Sequence, residues 1–563
     1  MTKDNLRLRK PPLAGRAKAE FPAAPDSNFV QNPVLSVGHI FGLLLISRIV
    51  VLVLAILIDL PFADHAADAF KGVSPSFSPE NPETELRSSA VSLKARLADT
   101  FFHWDARYFH HIAAYGYSYE QVLAFFPLYP SLGRWLALLL ARLVPVWDFD
   151  SWLLASLVLL NLAAFLLAGC LLYWLTLSVF SSLTLTSTST TSKLANSDSF
   201  SLEAKSIALI TVGLFAVNPA SIFFTVAYSE SLYCMLTFGG LYCLYSDCGK
   251  QQKLGRTSSL LAGSTIFGLA LLTRSNGLLN AGYVAFVLLC KAYSLILGSA
   301  NARFSRSFFC CFLPCLRLCC VAVCCAVIML LPLVLHHCFV YRDFCTTISS
   351  SLARFPLPVL DLARQASYIL PGDLARLDWC RWPVPAFYPA IQRKYWSVGW
   401  LGYYQLKKLP LFLLAAPVFS LSFWAIYQFL VRLLKSLKSQ PATIVAQLFD
   451  AQFSLLLPFV VHLVVLNFMG LLMINVEVTT RLIFSSTPIL YWLLAQRFVE
   501  LAGTADQIFG LTQTRTNGFL FFRLLSQLWQ VSGRSWLLKA YLVYSVLYAI
   551  TGTVMHVNFL PWT

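Results

Sequence analysis

Residues 128–145 read LYPSLGRWLALLLARLVP, and the topology of the whole chain turns on them. The stretch is apolar enough to suggest a membrane span, but it carries Arg134 and Arg142 and is bounded by prolines. Counted as a span, it reverses the side of every later loop and sends most basic clusters to the non-cytosolic face. Laid in the interface as an amphipathic or re-entrant helix, it leaves those clusters in the cytosol, as the positive-inside rule requires. Its marginal length favours the interface, and so do its two guanidinium groups, since each charge costs about 2.5–3.5 kcal/mol at the bilayer centre.

The surrounding composition is that of a membrane protein. Of 563 residues, 58% are hydrophobic and 12% charged, with a mean hydropathy of +0.67; soluble domains carry about 25% charged residues. Apolar runs of about 20 residues, enough to cross a hydrocarbon core of about 30 Å, recur from Val37 nearly to the C-terminus. They are Leu-rich and lack period-2 alternation, so they are helices rather than barrel strands. The fold class is an all-α polytopic membrane protein. The net charge of +16 is scattered in short clusters rather than gathered on one basic face, so no nucleic-acid partner is expected. Lys3, Arg7, Arg9, Lys10, Arg16 and Lys18 precede the first run with no small-residue cleavage site behind it. That run reads as a retained helix with a cytosolic N-terminus.

Eleven spans are expected, at about 37–58, 150–178, 206–227, 231–246, 258–278, 279–298, 318–341, 409–434, 452–474, 482–502 and 536–556. Basic clusters at Lys250, Lys253 and Arg256, at Arg303, Arg306 and Arg317, at Arg432, Lys435 and Lys438, and at Arg515, Arg523 and Arg534 fall in the cytosol. The chain thus divides into a basic cytosolic tail, 1–36, and a multi-spanning body, 37–563. Within the body, 59–149 is a first non-cytosolic loop with juxtamembrane helices and 342–408 a second, larger one. The Ser/Thr-rich stretch 181–205 reads as a flexible cytosolic insertion. Of fifteen cysteines, Cys310, Cys311, Cys315, Cys319, Cys320, Cys324 and Cys325 repeat at helical spacing. They read as small apolar helix residues, with juxtamembrane palmitoylation as a second reading. A separate second C-x-x-C pair is missing, so no metal site is expected.

The unusual polar residues gather in the non-cytosolic segments. Asp105 opens "DARYFHHIAAYG", and two readings compete for it: a helix-start acid on an aromatic-anchored interfacial helix, or a general base beside a lipid-embedded substrate. Arg107, His110 and His111 are interface groups or donors to a lipid phosphate. Glu230 and Arg274 sit at helix ends, where capping or a helix-to-helix ion pair competes with a site role. Arg481 lies near Glu477 and pairs with it on the simplest reading. There is no phosphate-binding loop of Walker type and no G-x-G-x-x-G after a strand, nor a soluble catalytic domain of any size. Any sugar or phosphate donor would therefore have to arrive already in the membrane.

Six blocks, in order, carry a resemblance: "HWDARYFHHIAAYGYSYEQVLAFFPLYP" from His103, "NPASIFFTVAYSESLY" from Asn218, "TRSNGLLNAGY" from Thr273, "YWSVGWLGYYQLKKLPLFLLAAP" from Tyr395, "NVEVTTRLIFSSTPILYW" from Asn475 and "NFLPWT" from Asn558. Together they resemble the PIG-V family of mannosyltransferases, which are C-type glycosyltransferases. The N-terminal 30 residues and the Ser/Thr-rich insertion are not covered. The resemblance implies the C-type fold, with a first lumenal loop of interfacial helices carrying the acid and a later large lumenal loop helping to bind donor. It implies transfer of the second mannose, α-1,6-linked, from dolichyl-phosphate mannose to a mannosyl-GPI precursor lipid at the lumenal face of the endoplasmic reticulum membrane.

On that resemblance Asp105 takes the catalytic role, as general base of an inverting displacement. His103, Trp104, Arg107, His110, His111, Glu230, Arg274, Asn276, Arg393, Lys394, Trp396, Glu477 and Arg481 are the candidates for substrate binding. No cofactor is expected beyond the lipid-linked donor as co-substrate, and a small membrane partner subunit remains open. The alternatives are another dolichyl-phosphate-sugar-dependent C-type glycosyltransferase, or a lipid scramblase or transporter. The last needs no single essential carboxylate and expects internal pseudo-symmetry, which the sequence does not display.

Overall fold

A computed structural model describes residues 37–59, 65, 69–77, 97–188, 197–246, 256–300, 308–346, 349–383, 386–439, 443–502 and 520–560. The tail 1–36, Lys250, Lys253, Arg303, Arg306, Arg515, the terminal 561–563 and the side chains of Cys310 and Cys311 lie outside the described residues.

The first long helix is α1 (Val37–Asp59), followed by α2 (Asp105–Tyr115), α3 (Leu128–Leu143), α4 (Phe149–Thr188) and α5 (Ser197–Ala216). Next come α6 (Glu230–Tyr245), α7 (Thr257–Leu271), α8 (Ala281–Ala300) and α9 (Phe308–Cys345). Two short helices, α10 (Leu357–Gln365) and α11 (Phe387–Trp396), lie in the large loop before α12 (Leu409–Ser439). The chain ends through α13 (Leu457–Leu472), α14 (Thr479–Ser486), α15 (Ile489–Ala502), α16 (Leu520–Ser532) and α17 (Trp536–Val557). No strand occurs among the described residues. The protein is an all-α, multi-pass membrane protein.

Each expected span is occupied by helix, though not always by one continuous helix. Among the described residues, six helical stretches are long and apolar enough to cross a bilayer: Val37–Asp59, Phe149–Leu183, Ser275–Leu297, Leu313–Cys345, Leu406–Ser439 and Trp536–Val557. A seventh arises if α14 and α15, bent by 67° at Thr487 and Pro488, count as one. The physical cause is the proline: Thr487 is pushed to an extended backbone, as residues before Pro are. The stretch expected at 206–227 likewise breaks after Ala216, just before Asn218 and Pro219, and resumes as a short 3-10 turn at Ser221–Phe224. The stretch expected at 258–278 breaks after α7, where Gly277 passes so close to the Leu271 backbone that a Cβ would sit 2.7 Å from it. Helix α3 has 16 residues, about 24 Å of helix, short of the roughly 30 Å core.

The Ser/Thr-rich stretch departs from the expected flexible insertion. Residues 181–188 prolong α4 and 197–205 begin α5, leaving only 189–196 outside the described residues. Ser182, where this prolongation begins, donates its hydroxyl to the Ser178 carbonyl on the preceding turn.

One apolar core joins α1, α4, α5, α6, α13, α15 and α17. Helix α4 is its axis, packing on α3, α5 and α6, while α7 lies between α6 and α9. Smaller clusters seat the loops. Val340 and Phe344 at the end of α9 pack with Trp379, Phe387 and Ile391 of the large loop and with Leu123 of the first loop. Large apolar side chains such as Phe41, Leu57, Leu330 and Leu413 point outward, as lipid-facing residues do.

Candidate active site

The site is assembled from the backbone breaks. Helix α2 starts abruptly: Trp104 adopts a left-handed φ of 51°, costly for a bulky residue and most often found at functional sites. That turn sets Asp105 as the first helical residue, where the helix dipole favours a carboxylate. The Asp105 backbone N–H donates to the Tyr228 hydroxyl at 3.3 Å, tying α2 to the irregular segment after α5.

From Asp105 runs a chain of alternating charges drawn from four separate parts of the sequence. Arg481 Nη1 donates to Asp105 Oδ2 at 2.7 Å and lies 3.2 Å from Glu230 Oε1. Arg274 Nη1 pairs with the same Glu230 oxygen and lies 3.3 Å from Ser229 Oγ. The rings of Phe223 and Tyr228 flank the Arg481 guanidinium at 5.1 and 5.6 Å, a cation–π arrangement that replaces part of its lost hydration. Two carboxylates and two guanidiniums balance, as burial demands.

Exposure gives the chain a direction. The Glu230 side chain is 0% exposed and that of Arg481 8%, whereas that of Asp105 is 21% exposed. Glu230 Oε2 and Arg481 Nε are buried with no hydrogen-bond partner among the described residues. Chemically, the arrangement presents one partly exposed carboxylate, oriented by a buried arginine.

The pairing expected from sequence is corrected here. Arg481 does not pair with Glu477; it reaches Asp105 and Glu230, while Glu477 accepts the Tyr403 hydroxyl proton. Those residues lie across a helix start: Glu477 sits in the short turn before α14, and Arg481 points from α14 into the core. Asn276 donates to Ser486 Oγ at 3.0 Å, joining the turn after α7 to α14.

The remaining candidates lie around this chain rather than in it. His103 is buried against Phe559 and His556, with ring centroids 4.8 and 6.1 Å away. Trp104 packs on Phe559 at 4.9 Å. Arg107 donates to the Phe102 carbonyl at 3.1 Å and stacks on Phe559. His110 packs edge-on against Phe77 and Phe102, and burial lowers its pKa, against an opposing pull from Asp150. His111 lies 2.7 Å from Ser118 Oγ and stacks on Tyr119. Burial, reinforced by His110, holds its pKa down to about 3. His111 is therefore neutral at pH 7.

The large loop meets the first loop through a residue that sequence reading passed over. Glu120, buried, accepts from Trp379 Nε1 at 3.0 Å, Lys394 Nζ at 2.7 Å and the Tyr395 hydroxyl at 2.8 Å. Lys394 is thus engaged, while Arg393 beside it is exposed. Trp396 comes within 6.0 Å of Tyr108, one turn after Asp105, and Tyr108 stacks on Phe125 at 4.3 Å. Cys345 at the end of α9 forms a disulfide with Cys380; neither was singled out among the fifteen cysteines. No cluster of three or more His, Cys, Asp or Glu that could hold a metal occurs among the described residues.

Fold and site together describe a polytopic membrane protein whose buried helices hold a charged cluster of Asp105, Arg481, Glu230 and Arg274. The sequence pattern of the mannosyltransferase (PIG-V) family matches residues 39–194 and 174–563. The chain belongs to that family of glycosyltransferases. It is 32% identical over 536 residues to mouse GPI alpha-1,6-mannosyltransferase 2, covering 92% of this chain and 96% of the mouse protein. The human protein of that name is 30% identical over 533 residues, with the same coverage. GPI mannosyltransferase 2 of Drosophila pseudoobscura pseudoobscura is 29% identical over 528 residues, covering 92% and 98%. Among solved structures, an Archaeoglobus fulgidus oligosaccharyltransferase aligns with a TM-score of 0.41 and 12% identity, covering 92% of this chain and 55% of that one. That likeness is too loose to assign a fold by itself.

Proposed function

We propose that this protein transfers the second mannose of a glycosylphosphatidylinositol precursor, from dolichyl-phosphate mannose, at the lumenal face of the endoplasmic reticulum membrane, with Asp105 as general base. The observation that carries the reading is the Asp105 carboxylate: accessible, ion-paired to Arg481, and presented at the start of an interfacial helix. The names of the mouse and human relatives supply the substrate class and the α-1,6 linkage.

The chemistry is a single displacement. The acceptor hydroxyl oxygen forms a bond to the mannose anomeric carbon while the bond from that carbon to the phosphate oxygen breaks. Dolichyl phosphate departs with the electron pair, the hydroxyl proton passes to Asp105, and a β-linked donor yields an α-linked product. Arg481 orients Asp105 through one carboxylate oxygen, leaving the other for the acceptor. General base catalysis contributes about 10²–10⁴-fold. Positioning of the two lipids and stabilisation of the leaving phosphate supply much of the rest. Arg393, exposed on the helix that Glu120 anchors, is the cation we place at that phosphate. The donor is a co-substrate, and no resident cofactor takes part. The C-type architecture goes with this reading, α2 and α3 being the interfacial helices of the first lumenal loop.

The Cys345–Cys380 disulfide supports the orientation, because structural disulfides persist in oxidising compartments and the bridge closes the large loop. Lipid analysis of cells lacking this enzyme tests the reading. Wild-type protein is expected to clear an accumulated one-mannose precursor, whereas Asp105→Asn, expressed to equal abundance, leaves it in place. Clearance by the mutant would overturn the assignment of Asp105, and an unchanged GPI pool in the deficient cells would overturn the substrate.

A further inference from the structure

Helices α5 and α6 are joined by residues 217–229, a stretch of irregular backbone that is buried almost throughout. Inside a membrane protein such backbone persists only if neighbouring groups satisfy its carbonyls and amides. Two polar side chains from helices outside the charge chain do so. Arg48, in the middle of α1, is only 1% exposed. Its Nη2 donates to the Ala216 carbonyl and its Nη1 to the Ser221 carbonyl, both at 2.8 Å. It also lies 3.2 Å from Thr225 Oγ1, and its Nε lies 3.3 Å from Ser47 Oγ. The Phe165 ring of α4 covers the guanidinium at 4.2 Å.

Asn161, on α4, grips the other half of the segment. Its Nδ2 donates to the Phe223 carbonyl at 3.0 Å and the Val226 carbonyl at 2.6 Å, and its Oδ1 accepts the Ser231 amide at 3.3 Å. No carboxylate pairs with Arg48 among the described residues, so its charge is spent wholly on neutral acceptors. A buried cation without a counterion is expensive, and an apolar residue would serve α1 better if anchoring the helix were the only need.

What the held segment carries explains the cost. Phe223 and Tyr228 flank the Arg481 guanidinium, Tyr228 receives the Asp105 amide, and Glu230 begins where the segment ends. We infer that Arg48 and Asn161 are positioning residues for mannosyl transfer: they fix the 217–229 backbone so that Glu230, Phe223 and Tyr228 hold Arg481 against Asp105. This rests on the proposed role of Asp105.

Two measurements test it. Purified Arg48→Met and Asn161→Leu are expected to lose about 10²-fold in kcat, the scale of a misplacement near 1 Å, with KM for both lipids within about threefold. Arg48→Lys, which keeps a donor, should recover a large part. The double variant should be no worse than about the poorer single one, since both act on one segment. Hydrogen–deuterium exchange should speed up in peptides spanning 217–230 and stay as in wild type elsewhere. Trp492→Phe, which loses a buried bond to Thr176 and touches none of these groups, serves as a control for general destabilisation.

The inference is overturned if kcat per folded molecule is unchanged, if Arg48→Lys is no better than Arg48→Met, or if exchange rises throughout as it does for a destabilised control. Asp105→Asn in the same assay separates the two ideas: full activity there sinks the base assignment, while the exchange pattern still judges the clamp.

Discussion

At the scale of single residues, the decisive feature is that Arg481 serves two carboxylates at once. Removing it as Arg481→Met leaves Asp105 without its partner and buried Glu230 with Arg274 alone. Stability should fall by about 3–5 kcal/mol, read as a lowered thermal midpoint in detergent, together with loss of transfer; an unchanged midpoint would contradict the pairing. A second residue-scale expectation concerns His111, whose folded pKa lies near 3 against about 6.5 in the unfolded chain. Since the folded state binds fewer protons, the contribution is intact above pH 6.5 and is lost as pH falls from there toward 3. By pH 5 the loss is about 2 kcal/mol. His111→Gln, which keeps a partner for Ser118, should flatten the fall in thermal midpoint between pH 7 and pH 5; an unaltered slope would show that other groups carry it. The sequence made Asp105, Glu230, Arg274 and Arg481 visible because ionisable groups are scarce in apolar surroundings. It could not show who pairs with whom, since Arg481 and Asp105 lie 376 positions apart. Nor could it show Arg48 or Asn161, polar letters set inside long apolar runs.

At the scale of elements, the helices were legible from hydropathy and length, but their interruptions were not. A hydropathy window averages across Ala216 to Glu230 or across Thr487 and Pro488, while the backbone there responds to individual prolines and to the side chains that satisfy it. Those interruptions deliver Glu230, Arg274 and Arg481 to one point. The loops around them are joined by Glu120, which a sequence reading treats as an ordinary loop acid. Glu120→Ala strands the buried Trp379 Nε1 and frees Lys394 and Tyr395, at about 1–3 kcal/mol for the unsatisfied group. Limited proteolysis within 342–408 should quicken while the core helices stay protected. Cleavage at the wild-type rate would mean that the loop is held by the apolar cluster around Phe344 and Trp379 alone.

At the scale of the molecule, transfer at Asp105 from a donor held by Arg393 requires the first loop and the large loop to share one oxidising side of the membrane. The Cys345–Cys380 bridge tests this directly, since it closes 35 residues and should add about 2–4 kcal/mol. Protein isolated under alkylating conditions should hide these two thiols from maleimide until it is reduced. Free thiols at both positions in the native membrane would place the loop in the cytosol and reverse the topology. Most of the catalytic proposal then narrows to one atom group. The most direct measurement is mannosyl transfer by purified Asp105→Asn, supplied with dolichyl-phosphate mannose and a one-mannose GPI acceptor. If Asp105 is the base, kcat falls about 10²–10⁴-fold with donor KM nearly unchanged. Turnover within a few-fold of wild type would contradict it.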